Sequence, residues 1–166
     1  MRRGFTLAEL MVVISVLSTC ALVLIPAAGG DRSAALRGAA EMLAADIEDT
    51  QARMLADPLD PTGLFVNQAG DGWHLARTSS PLQPILGRDG LPRTRRFGDG
   101  ALAHAEGLIL SPPALQNGSL SFDDQGAPVQ SDGELAFRLA TPEGDSALAV
   151  LISASTGSVK IVFESP

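Results

Sequence analysis

The chain has 166 residues with 19 acidic against 12 basic side chains, a formal charge of −7 that argues against nucleic acid as its main partner. A single cysteine, Cys20, excludes an intrachain disulfide, so the fold must hold by packing alone. Seventeen glycines and eleven prolines announce many turns, and there are no obvious internal repeats.

Arg2 and Arg3 precede Gly4, and from Phe5 to Ala28 the only charged residue is Glu9. As a helix this apolar stretch would span ~36 Å at about 1.5 Å per residue, enough to cross a hydrocarbon core of ~30 Å with some tilt. The two arginines favour a cytoplasmic N-terminus. A carboxylate inside a bilayer costs roughly 2.5–3.5 kcal/mol on insertion scales, which makes Glu9 a functional candidate. An ordinary secretory signal is the competing reading, with Leu10–Ile25 as its apolar core and cleavage near Gly29. Glu9 falls where such a signal wants neutral residues.

After Gly29-Gly30 a second helix is expected from Ser33 to Ala56. Leu36, Ala40, Leu43, Ile47 and Met54 recur at steps of three, four and seven and form one apolar stripe. Asp49 and Arg53 add an i,i+4 pair on the exposed side, and Asp57-Pro58 with Asp60-Pro61 ends the helix. Pro26 and the two glycines would interrupt or bend the path between the halves.

Beyond Pro61 the pattern turns to short strands. Leu64–Val66 and Trp73–Arg77 flank Gly70-Asp71-Gly72 as a first hairpin. Leu108–Leu110, Leu120–Phe122 and Leu135–Leu139 are further candidates. Ala147–Ile152 and Val159–Phe163 form a last hairpin through Ser155-Thr156-Gly157. Runs from Pro81 to Gly100 and around Pro112-Pro113 read as long loops. The fold class is α+β, a long N-terminal helix packed against a C-terminal antiparallel β domain. The expected divisions are 1–4, a short basic segment; 5–28, a membrane helix; 29–57, its amphipathic half beyond the membrane; and 58–166, a β-rich domain.

Catalytic chemistry finds no home. His74 and His104 have no partners at metal-ligand spacing, and Ser153 and Ser155 lack a nucleophile elbow. Asp123-Asp124-Gln125-Gly126 has too few regularly spaced oxygens for a calcium loop and reads as a hairpin turn. No enzyme, metal or cofactor is expected.

Gly4-Phe5-Thr6-Leu7-Ala8-Glu9-Leu10 resembles the N-terminal signal of type IV prepilins and type II secretion pseudopilins. The resemblance implies cleavage between Gly4 and Phe5 by a prepilin peptidase, which also N-methylates Phe5. Loss of Arg2 and Arg3 would take the formal charge to −9. Glu9 becomes the fifth mature residue, where the family uses a glutamate to meet the terminal amine of a neighbouring subunit, and Pro26 matches a proline many pilins carry. The chemistry agrees: an amine and a carboxylate, each costly in an apolar medium, lower that cost by pairing. Repetition of this heterologous contact would build an open filament.

More loosely, residues 120–163 resemble the H-type minor pseudopilins (GspH/FimT), through Phe122-Asp123, the Gly126 turn, two apolar strands and a hairpin closed by Thr156-Gly157. The implied domain is a small β-sandwich or pair of sheets leaning on the helix. The implied partners are other pilins or pseudopilins, the prepilin peptidase, an inner-membrane assembly platform, and lipid before assembly. The implied function is a structural subunit of a periplasmic pseudopilus. The competing function is a minor type IV pilin in pilus assembly or DNA uptake. Arg88, Arg93, Arg95 and Arg96, beside Phe97, would then be the phosphate contacts.

Overall fold

The computed structural model describes residues 7, 10–18, 32–115, 118–129 and 133–164. They fall into two units, Met1–Asp31 and Arg32–Pro166. In the first unit residues 10–18 are helical (α1). Ser15 Oγ donates to the Met11 carbonyl at 2.8 Å, so the one polar side chain at the middle of this stretch is satisfied by its own helix. No helix among the described residues is long and apolar enough to cross a membrane. Most of the expected span 5–28, and the expected bend at Pro26, lie outside the described residues.

The second unit begins with α2 (Arg32–Ala56), one residue earlier than expected. Its stripe turns inward as the spacing requires: Leu36, Ala39, Ala40, Leu43 and Ile47 are buried, and Met54 is half-buried. Burying each large apolar side chain stabilises by ~1.5–3 kcal/mol, against a few tenths for an exposed pair such as Arg37–Glu41 at 2.9 Å. The stripe, not the surface charge, therefore holds α2 in place. The last helical bond runs from Asp57 N–H to the Arg53 carbonyl, and Pro58 cannot supply another donor.

Among the described residues eight strands follow: β1 (Thr62–Val66), β2 (Gly72–Arg77), β3 (Thr94–Arg96), β4 (Ile109–Ser111), β5 (Ser119–Leu120), β6 (Leu135–Ala140), β7 (Ala147–Ile152) and β8 (Val159–Glu164). They make two four-stranded sheets, ordered β3-β2-β1-β5 and β4-β6-β7-β8. Every pairing is antiparallel. Leucines and one phenylalanine set the register of the second sheet: Leu110 faces Leu139, which faces Leu148, which faces Phe163. A one-residue slip would send that row to the other face. Leu43 and Ile47 of α2 share one core with Leu64, Trp73 and Leu75 of the first sheet and Phe137, Leu148 and Val150 of the second. The unit is α+β with a C-terminal antiparallel β domain.

Three expectations need correction. The stretch from Pro81 to Gly100 is not a plain loop, because it contains β3 and bridges Ala76 to Pro84 and Leu86 to Pro92. Thr94-Arg95-Arg96 has no apolar alternation, and pairing with β2 rather than propensity makes it a strand. Leu120–Phe122 is shorter as a strand than read. Only Ser119–Leu120 pairs with β1, whereas Phe122 bridges Pro128 across the Asp123–Gly126 turn. Asp49 and Arg53 do pair, at 3.0 Å, but both side chains are half-buried rather than on an open face.

Candidate functional site

In the first unit the notable feature is an uncovered apolar helix. Leu7, Leu10, Met11, Val12, Val13, Ile14, Val16 and Leu17 are exposed, from 46% at Val13 to 76% at Leu7. They point in every direction around the axis, since five of the eight, residues 10–14, are consecutive. A helix apolar all round belongs in a membrane or in the middle of an assembly. Gly4, Phe5 and Glu9, the residues expected to carry processing and assembly, lie outside the described residues.

In the second unit one buried polar group that the sequence pattern did not single out joins three elements. Asp46 sits on the apolar side of α2 and is buried. Its Oδ2 accepts from Trp73 Nε1 at 2.9 Å and from Arg95 Nε at 3.2 Å. A buried carboxylate is tolerable only with partners of this kind. Here it ties α2 to β2 and β3 at one atom. Its signal in the sequence was its place on the stripe, three residues after Leu43 and four before Thr50.

Gln51, one turn further, does similar work for the second sheet. Its Nε2 donates to the Gly126 carbonyl at 2.6 Å and to the Thr156 carbonyl at 3.2 Å. The two turns meet so closely that a Cβ on Gly157, at φ +65°, would run into the Gly126 carbonyl and the Gln51 amide. The Asp123 turn itself is closed by Asp123 Oδ1, which accepts from the amides of Gln125 at 2.9 Å and Ala127 at 2.8 Å. Those bonds give this aspartate a structural role in the turn.

The four arginines do not gather into one free patch. Arg95 is held by Asp46, with its side chain 26% exposed. Arg96 Nη2 lies 2.8 Å from Asp71 Oδ2. A hydrogen bond from Asn67 Nδ2 at 3.1 Å, helped by the Arg96 guanidinium, holds the Asp71 carboxyl below the usual carboxylate range. Arg93 is half-buried, and Arg88 is exposed near the tip of the turn at Asp89-Gly90. Phe97 is buried edge-on against Trp73, with ring centroids 5.8 Å apart, so it offers no face for base stacking.

Among the remaining candidates, His74 Nε2 lies 2.8 Å from the Pro81 carbonyl and its ring stacks on Phe65. His104 is exposed on a short 3-10 helix, Gly100–Ala105, whose Leu102 and Ala105 point into the core. Ser153 and Ser155 hydroxyls lie 3.3 Å apart in the β7–β8 turn. Among the described residues no three His, Cys, Asp or Glu side chains are placed to hold a metal ion. An open groove of about 500 Å³ runs past Asn67, Ile109, Pro112, Pro113 and Leu115, without titratable groups in its lining.

The described residues are thus an uncovered apolar helix and, in the second unit, a small α+β domain. Residues 1–25 match the family model described as the prokaryotic N-terminal methylation motif. This match supports a type IV pilin-like protein, and it is consistent with prepilin-peptidase processing, membrane anchoring and assembly with other pilins. Neither the curated proteins nor the solved structures return a match.

Proposed function

We propose that the chain is a minor pseudopilin, a structural subunit of the periplasmic pseudopilus of a type II protein secretion system. It works as a building part and not as a catalyst. It would assist filament initiation and so the export of folded proteins. The observation that carries the reading is the match of residues 1–25 to the methylation motif, within which residues 10–18 form a bare apolar helix. The looser likeness of residues 120–163 to the H-type subunits favours a minor over a major role.

The mechanism follows from charge in an apolar medium. Before assembly the chain sits in the inner membrane, N-terminus cytoplasmic and β domain periplasmic. Cleavage after Gly4 frees a cationic amine at Phe5. Pairing of that amine with Glu9 of the next subunit lowers the cost of both charges and sets the axial step. The apolar helices fill the filament core, and the β domain faces cargo or tip partners.

The alternative is a minor type IV pilin, because the same motif serves both machines. DNA contact through Arg88, Arg93, Arg95 and Arg96 is the weaker part of it, since Asp46 and Asp71 already engage two of the four. An in-frame deletion scored for secreted protein, surface pili and DNA uptake separates the two. Loss of exoproteins with intact pili supports the pseudopilin; loss of pili or DNA uptake with normal secretion supports the alternative.

A further inference from the structure

The two sheets end in four edge strands, and three are short: β3 and β4 have three residues and β5 has two. Short edges are a common protection against unwanted strand pairing. The fourth edge, β8, has six residues, Val159-Lys160-Ile161-Val162-Phe163-Glu164, without proline. Among the described residues its backbone bonds only to β7. Val159 and Ile161 pack against the core, whereas Phe163, on the same face, is 64% exposed at the end of the Leu110–Leu139–Leu148 row. Lys160, Val162 and Glu164 occupy the opposite face, where Glu164 Oε2 accepts from Arg138 Nε at 2.6 Å.

This strand is complementary to itself. Antiparallel pairing about a twofold axis through Val162 places Lys160 of one copy opposite Glu164 of the other, twice. The same register places Ile161 opposite Phe163, also twice, on the core face. A shift of one residue joins the core face of one sheet to the outer face of the other. A shift of two leaves Lys160 with no carboxylate opposite it, while Glu164 keeps only its Arg138 contact. One register therefore satisfies backbone, apolar and charged groups together, and cross-strand pairs are the unit of sheet stability. We propose that β8 is a homodimer edge, which joins the β4-β6-β7-β8 sheets of two copies of this chain into one continuous eight-stranded sheet. The contact is closed and does not propagate, so it would hold subunits in pairs rather than build a filament. It does not depend on the pilin reading.

The test uses the full-length chain in non-denaturing detergent, in a Cys20→Ser background. Val162→Cys brings its own symmetry mate to the axis, where facing Cα atoms in antiparallel strands lie ~4.5–5.5 Å apart, within disulfide reach. Mild oxidation should convert most of the Val162→Cys protein to a covalent dimer, and Leu151→Cys, on the neighbouring inner strand, should stay monomeric. Lys160→Glu, an exposed change that keeps the fold, should weaken the non-covalent dimer about tenfold by setting like charges opposite each other. The Lys160→Glu/Glu164→Lys pair should restore it. A Val162→Cys protein that stays monomeric overturns the proposal. So does a dimer indifferent to Lys160→Glu, which would then be held by the apolar helices or another surface.

Discussion

Trp73 and Asp46 meet across the interface of helix and sheet, the indole Nε1–H donating to the carboxylate Oδ2 at 2.9 Å. Neither group has water to fall back on, since both residues are buried. Arg95 supplies the neutralising charge from β3. One oxygen thus fixes where the helix lies on the first sheet, and it does so with a charge that must stay paired.

Asp46→Ala should accordingly cost roughly 2–4 kcal/mol, because it strands the indole N–H and a half-buried guanidinium. Arg95→Met, which keeps the stem but leaves the buried Asp46 carboxylate with only the indole N–H, should cost at least as much. Denaturant midpoints with unchanged slopes measure both. A clearly smaller loss for Arg95→Met would show that the indole bond, and not the countercharge, holds the carboxylate.

Gly157→Ala should destabilise by more than the ordinary 1–2 kcal/mol, since it combines a left-handed backbone with a clash against the Gly126 carbonyl and Gln51. Gln51→Ala should cost about 1–2 kcal/mol by leaving two turn carbonyls short of a donor. Thermal unfolding of the two variants checks the order. A harmless Gly157→Ala would mean the two turns do not meet as described.

Asp71 gives a pH dependence with a definite sign. Its carboxyl is held below the usual range first by Asn67 and then by Arg96. The group therefore adds stability above the unfolded carboxylate pKa of about 3.9, and this is lost as pH falls through the lower folded value. Asn67→Ala should raise the Asp71 pKa and flatten stability against pH in that acid window. Carboxyl titration by NMR reads it directly, and an unmoved pKa would remove Asn67 as the main cause.

Much of this architecture was readable beforehand, and the exceptions share a cause. The α2 stripe, both hairpins and β6 were legible because apolar residues recur at the period of the element that buries them. β3 was not, because Thr94-Arg95-Arg96 is placed by its neighbours: β2 supplies the ladder and Asp46 the countercharge. Asp46 was not, because a lone acid on a stripe looks like surface until Trp73 and Arg95 are brought to it from 27 and 49 residues away. The N-terminal motif was legible by resemblance instead, and residues 1–25 match the methylation-motif model.

The arginine segment makes a negative prediction. With Arg95 and Arg96 engaged and Phe97 buried, the protein should show no binding to duplex DNA at physiological salt and micromolar concentration. Fluorescence anisotropy tests this. Tight binding with a steep salt dependence, weakened by Arg88→Ala, would move the balance to the DNA-uptake reading.

The assembly chemistry predicts that Glu9→Ala is still cleaved after Gly4 but enters filaments poorly. Pull-down of sheared filaments from cells carrying the variant measures incorporation. Normal incorporation would sink the pairing of the Phe5 amine with Glu9.

The most direct test is the intact mass of the mature protein isolated from membranes. Loss of Met1 to Gly4 with one methyl group added at Phe5 is the expected result. A chain that begins near Gly29, or one that keeps its first four residues, would contradict the assignment to the pilin-like class.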